Sequence, residues 1–263
     1  MATSVVLFAL VIVIFLALET ITPLVAAQRR VRDGWQTDLA FGVGNGLLFA
    51  IGIGAAITAL GLAVRTVIPG NVISAIAHWP LWLQAPAAIA LGDLGVYLMH
   101  RTEHAVPLLW RFHSVHHAAE EMDFLVAVRN HPVDLLLQRG AAVVPIIALG
   151  FSPTALAIYA GAYFWQSFLA HANVRILYGP LRWLIVSPEF HHWHHANERA
   201  AYDRNFAGFC AFWDVCFGTV HLPRRGPRAP DVYGLTERMP RSYWRLMAYP
   251  FMRRRSTPEG PRG

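Results

Sequence analysis

The chain has 263 residues, 55% hydrophobic and 14% charged, with a mean hydropathy of +0.38, whereas soluble domains carry about 25% charged residues. All 22 basic residues are arginine, against 16 acidic ones. Lysine Schiff-base chemistry is therefore excluded, and a nucleic-acid partner is set aside because the arginines lie beside apolar runs and in the C-terminal segment, where lipid head groups suit them.

Residues 5–27 read as a first membrane helix, apolar apart from Glu19, Thr20, Thr22 and Pro23. At about 1.5 Å per residue the run is long enough to cross a bilayer. Arg29, Arg30 and Arg32 follow it, whereas a cleaved leader has its basic residues in front. A second span, 39–64, is uncharged and contains Gly42, Gly44, Gly46, Gly52, Gly54 and Gly61. No strand precedes these glycines, so close helix packing in lipid explains them better than a dinucleotide loop. A third span, 81–99, leads into His100, and the apolar stretch 133–170, broken at "LGFSP", reads as a helical hairpin.

The expected fold is therefore all-α, with four to five membrane helices in an N-terminal region, 1–99, and a histidine-rich region, 100–222, that includes the hairpin. Span parity brings His100 and His171 to the face that carries Arg29 to Arg32, and arginine bias makes that face cytoplasmic. The membrane is expected to be the bacterial inner membrane or the endoplasmic reticulum. From 223 to 263 the composition turns to Arg, Pro and Gly, which predicts a surface tail, partly disordered. Cys210 and Cys216 are the only cysteines. They form no metal knuckle or disulfide framework and read as core residues, leaving nitrogen and oxygen to hold any metal.

The 13 histidines fall mostly into "HRTEH", "HSVHH" and "HHWHH". His100 and His104 lie one helical turn apart on one face, and stepping back along that face reaches Tyr97 and Asp93, a carboxylate inside an apolar span. His113, His116 and His117 repeat a one-face spacing, as do His191, His194 and His195. In the last box His191, His192 and His195 would form a face equally well, and the repeat of HxxHH favours His194. A closed zinc site takes about four ligands, so eight histidines are too many for one ion. The lone His131 and His171 could complete a set for two ions, with His171 the better candidate. Isolated His78 and His221 read as interface or core residues. Imidazoles suit iron, copper, nickel and zinc alike.

The order HxxxH, HxxHH, HxxHH, together with "LWRFHSVHH", "RNHP", "HANV", "SPEFHHWHH" and "FWDVCFGT" between about Asp93 and Thr219, resembles the fatty acid hydroxylase superfamily, also called the sterol desaturase family, of integral membrane di-iron enzymes. The resemblance implies metal-ligand roles for His100, His104, His113, His116, His117, His191, His194 and His195, with His171 where members often place another. Members commonly have arginine at the position of His192, which implies a supporting role there. Asn205, Asp214 and Asp134 match polar positions of the pattern and, with Asp93, are candidates to orient ligands through their other ring nitrogen.

The implied reaction is O2-dependent hydroxylation or desaturation of a lipid, such as a sterol or fatty acyl chain, at two Fe ions, with Zn a ready substitute during purification. No flavin, haem or iron–sulfur pattern is present in the sequence, so a separate electron-transfer protein of cytochrome or ferredoxin type is implied. Two other classes combine spans with imidazoles. A metal transporter or buffer would place its ligands near the bilayer midplane. A zinc-dependent membrane hydrolase would use Glu103 or Glu189 as base beside a single zinc. Trp110, Phe112 and Trp193 are read as packing rather than pocket lining.

Overall fold

A computed structural model describes residues 2–223 and 228–252. Among the described residues there is no strand, only isolated bridges pairing Pro23 with Val174 and Ala196 with Tyr233. The first helix, α1 (Ala2–Ile21), stops short of Pro23. Helix α2 (Trp35–Leu48) runs through a widened turn, Phe49–Ile53, into α3 (Gly54–Arg65). Together they form a 31-residue rod containing an 18-residue window of mean hydropathy 2.4, and the rod is longer than the roughly 20 residues that cross a hydrocarbon core. Ile51 and Leu62 on this rod are 73% and 51% exposed, as lipid-facing side chains are when only protein covers them.

After the short α4 (Gly70–Ala77), the 25-residue α5 (Leu81–Ala105) is the second helix long and apolar enough to cross a membrane. Helices α6 (Pro107–His113), α7 (Pro132–Ala148) and α8 (Pro153–His171) follow, with the break between α7 and α8 falling at "LGFSP". Ser152 caps α8 by accepting the N–H of Ala155 at 3.2 Å, with Pro153 in the first turn, a position where its missing N–H costs nothing. The same Ser-Pro start opens α9 (Pro188–His194), where Ser187 accepts the N–H of Phe190 at 3.2 Å.

The core lies between α5, α7 and α8, where Ala88, Val96, Ala142, Ile146 and Tyr159 are buried. Each large apolar side chain buried there is worth about 1.5–3 kcal/mol relative to exposure. Gly95 lets α5 and α7 touch, since a Cβ there would stand 2.2 Å from the carbonyl oxygen of Ala141. Gly61 does the same for α3 against Ile147, at 2.9 Å, so close packing accounts for at least this glycine of the second span. Two short helices, α10 (Phe212–Cys216) and α11 (Tyr243–Ala248), complete the described fold.

Three expectations need correction. Arg32 is not a surface charge: its side chain is buried against Asp38 and Asp123. Cys216 is exposed, and only Cys210 lies in the core. The segment expected as a surface tail is partly built into the fold, because Tyr243, Leu246 and Met247 share one face of α11 and pack on Phe41 and Val115, with Leu246 fully buried. The remaining tail residues, 224–227 and 253–263, lie outside the described residues.

Candidate metal centre

On α5, Asp93, Tyr97 and His100 are buried on one face, and Glu103 joins them. Helix α6 ends at His113, a turn follows, and a 3-10 turn spans His116–Ala118. This break aims neighbouring imidazoles in different directions. Helix α9 is equally short, carrying His191, His192 and His194 with His195 at its C-cap, and of these His191, His194 and His195 likewise divide between two groups.

The result is two groups of ring nitrogens. His100, His104, His113, His117 and His194 form one; His116, His171, His191 and His195 form the other; within each group the nitrogens all lie within 4.8 Å of one another. Both HxxHH boxes are therefore split between the groups. The stacked rings of His117 and His195, 4.4 Å apart, mark the boundary.

Six of the nine outward ring nitrogens are held, whereas Nδ1 of His191 and of His195 is buried without a partner. His100 Nδ1 donates to the Phe206 carbonyl at 2.7 Å, His194 Nδ1 to the Arg204 carbonyl at 2.8 Å, and His104 Nδ1 to the Asp203 carboxylate at 3.2 Å. His113 Nδ1 donates to Asp134 at 3.1 Å, His116 Nδ1 to the Arg129 carbonyl at 3.1 Å, and His171 Nδ1 to the Ser167 carbonyl at 2.7 Å. An oxygen acceptor at Nδ1 places the proton there and leaves Nε2 as a bare lone pair.

The Nε2 atoms of each group face one another, and where both Nδ1 protons are fixed, as in His100 with His113 and His116 with His171, two lone pairs meet. In the first group Nε2 separations are 2.9 Å for His100 with His113, 3.1 Å for His113 with His117 and 3.0 Å for His117 with His194. In the second they are 3.1 Å for His116 with His171, 2.9 Å for His171 with His191 and 3.1 Å for His191 with His195. Two acceptors cannot hydrogen-bond, so the arrangement fits a cation within each group. At metal–nitrogen bonds of about 2.1 Å, ligands at right angles lie about 3.0 Å apart and tetrahedral ones about 3.4 Å. The observed spacing therefore matches ligands at right angles rather than a tetrahedron. Burial, reinforced by neighbouring imidazoles, holds His113, His117, His191 and His195 neutral well below the ordinary range, which is the protonation state a ligand needs.

One loop supports the first group. Asp203, Arg204 and Phe206 hold three of its five histidines. Asp203 and Asn205 take left-handed backbone, φ 55° and 59°, which their short polar side chains tolerate. Asn205 donates to the carbonyls of Phe190 and His221 and accepts the N–H of His221. Asp214 accepts the N–H groups of Phe206 and Ala207 and the Thr219 hydroxyl. Asp93 accepts the next three, from Gly208, Phe209 and Cys210. Asp93, Asn205 and Asp214 thus shape the loop rather than touch a ring.

His131 and His192 lie outside both groups. His131 caps α7, its Nδ1 accepting the N–H of Val133 at 3.2 Å. His192 Nδ1 meets the Tyr233 hydroxyl at 2.7 Å, and its Nε2 faces the carbonyls of His171 and Ala172, each at 3.1 Å. His78 bonds the Ser74 carbonyl, and His221 packs on Trp193. Glu189 accepts the N–H of Arg228, while Glu103 is engaged by Gln138. Trp193 is buried and donates to the Arg228 carbonyl, Phe112 packs on His131, and Trp110 packs on His104. Sequence reasoning did not find Tyr233, Arg129, or the carbonyls of Ser167, Arg204 and Phe206. Backbone acceptors carry no residue signature, although the buried charge of Arg129 on Asp38 has one.

The family model described as fatty acid hydroxylase matches residues 85–219, just over half of the chain. The chain is 30% identical over 178 residues to an ornithine lipid hydroxylase of Rhizobium tropici, a match covering 67% of this chain and 53% of that protein. It is 31% identical over 144 residues to the alkylglycerol monooxygenase of Homo sapiens, covering 55% and 31%, and 28% identical over 160 residues to a very-long-chain aldehyde decarbonylase of Oryza sativa subsp. indica, covering 54% and 25%. The matched part thus spans about half of the first relative and less than a third of the other two. No solved structure matches this chain.

Proposed function

The chain belongs to the fatty acid hydroxylase family, and from that premise we propose that it is a membrane-bound oxidoreductase that uses dioxygen and external electrons to hydroxylate a lipid at two iron ions. The observation that carries this reading is the pair of converging nitrogen groups, each with two Nε2 lone pairs facing one another. His100, His104, His113, His117 and His194 would hold one ion; His116, His171, His191 and His195 would hold the other. Iron, when bound, supplies the redox chemistry that attacks an unactivated carbon–hydrogen bond with dioxygen.

The protein's own part is to fix ligands and exclude water. Carbonyl and carboxylate acceptors set the tautomer of six rings, and burial of both nitrogen groups keeps solvent from the reacting carbon. Relatives named for ornithine lipid and alkylglycerol support a lipid substrate. Hydroxylation is favoured over desaturation because it removes one hydrogen rather than two from adjacent carbons. Electrons come from a separate cytochrome or ferredoxin type of partner.

The topology belongs to the same proposal. The α2–α3 rod and α5 cross the membrane, the α7–α8 hairpin enters and returns, and α1 adds a further helix, which places both nitrogen groups on the cytoplasmic face of the bacterial inner membrane or endoplasmic reticulum. The segment 1–99 anchors, and 100–222 carries the site. Metal analysis of protein purified without added metal, paired with spectroscopy for coupled iron, tests the centre: two metals per chain are expected. A stoichiometry near one, unchanged by variants at His113 and His191, overturns it.

A further inference from the structure

Arg139 sits on α7, and the proposed mechanism gives it no role. It lines a cavity of about 60 Å³ together with Tyr163 and with His100, His113, His116 and His191. That single cavity touches both nitrogen groups, so whatever reacts there lies within reach of Arg139. The guanidinium is stacked over the Tyr163 ring, 4.8 Å from its centre.

Among the described residues its charge has no ion-pair partner. Among the described residues the arginine ion pairs belong to Arg29, Arg32, Arg129, Arg228 and Arg241. The carboxylates nearest the site bond to other groups, Asp134 to His113 and Gln138, Glu103 to Gln138, and Asp93 to three backbone N–H groups; one oxygen each of Glu103 and Asp134 is without a partner, yet neither carboxylate pairs with Arg139. An ionisable side chain on a membrane helix is costly to keep and marks a functional interior. Stacking occupies the face of the guanidinium and leaves its edge, a fork of N–H donors that matches a carboxylate or phosphate.

We propose that Arg139 receives an oxyanion carried by the substrate, so that this chain acts on a lipid whose carboxylate or phosphate lies close to the carbon that reacts. The inference rests on the reading of the chain as a lipid oxidase and narrows its substrate class. Arg139 is a specificity residue: it grips the head, while the histidines hold the metals. Oxidation near the head group follows, because Arg139 and the histidines line the same small cavity.

The test is equilibrium binding, without turnover, of dodecanoate, dodecyl phosphate and dodecanol to the full chain purified in a neutral detergent. The two anions are expected to bind roughly 10- to 100-fold more tightly than the alcohol, the range of a hydrogen bond to a charged group. Arg139→Gln should abolish that preference while metal content and melting temperature stay at the parent values; Arg139→Lys should keep part of it. Dodecanoate against dodecyl phosphate then distinguishes a carboxylate head from a phosphate one. A parent chain indifferent to head-group charge overturns the proposal without need of any variant. So does a folded Gln variant that keeps the preference, or a folded Lys variant that has none. None of these outcomes bears on whether the chain holds two metals, which the stoichiometry decides separately.

Discussion

The carboxylate of Asp93, inside α5, accepts the backbone N–H of Cys210 at 2.7 Å. Through Gly208 and Phe209 the same carboxylate fixes one end of the loop whose other end holds His104, His194 and His100. Asp93→Ala leaves three N–H groups without an acceptor, at about 1–3 kcal/mol for each buried group left unsatisfied. The expected outcome is a lower melting temperature in detergent together with metal affinity reduced about 10- to 100-fold. A variant that melts with the parent and keeps full metal content would show that the loop holds its shape unaided.

Asp38 joins Arg32 and Arg129 in a buried ion cluster completed by Asp123, and the Arg129 carbonyl accepts a hydrogen bond from His116 Nδ1 at 3.1 Å. Removing one partner of a buried pair strands the other charge and costs about 3–5 kcal/mol. Asp38→Ala should therefore lower stability by that order and weaken the metal site containing His116. Denaturation in detergent, with metal analysis of the folded fraction, checks both, and parent-like stability would contradict the account.

The spacing of the histidine boxes made the ligand candidates legible because helical periodicity puts residues three and four apart on one face. It did not reveal which histidine joins which group, since that depends on α6 ending at His113 and on a short α9, details below the resolution of periodicity. The break at "LGFSP" was readable from Gly and Pro. The burial of Arg32 was not, because Asp38 is close in sequence but Asp123 and Arg129, which complete the cluster, each lie 91 residues from their partners. The packing of α11 was hidden by a composition rich in Arg and Pro, although Tyr243, Leu246 and Met247 have helical spacing.

Acid should destabilise the metal-free protein. Burial, with neighbouring imidazoles, keeps His116, His117, His191, His194 and His195 neutral far below the usual range, and burial brings His192 down to about 4. In the unfolded chain these groups titrate near about 6.5. Below that pH the unfolded chain binds more protons than the folded one, so stability rises with pH up to about 6.5 and is flat beyond for these groups. Melting of the apo protein between about pH 4 and 8 should show this slope, and bound metal should move the loss to lower pH. A melting temperature that does not change across the window would place these imidazoles in water.

Span parity makes a geometric prediction. If the α2–α3 rod and α5 both cross the membrane, the connection around Pro69 lies on the face opposite the nitrogen groups. Topology reporters placed at Pro69 and after His221 should report different sides. Reporters on the same side would mean that one of the two helices lies along the membrane instead.

The last prediction separates two neighbours in "HHWHH". His194 sends Nε2 to His117 at 3.0 Å and secures Nδ1 on the Arg204 carbonyl. His192 points the other way, to Tyr233 and the carbonyls that end α8. His194→Ala should therefore remove a ligand and abolish both activity and normal metal occupancy. His192→Ala should keep two metals. It should still reduce activity, because His192 ties α9 to the carbonyl of His171, itself in the second nitrogen group, and changes around a ligand typically cost about 10- to 100-fold in affinity or rate. Tyr233→Phe, which removes only the hydroxyl, should give a milder version of the His192 effect, separating the ring's anchoring from its bulk. The comparison requires parent-like melting temperatures for all three variants. Loss of a metal in His192→Ala with two retained in His194→Ala would reverse the assignment of the box.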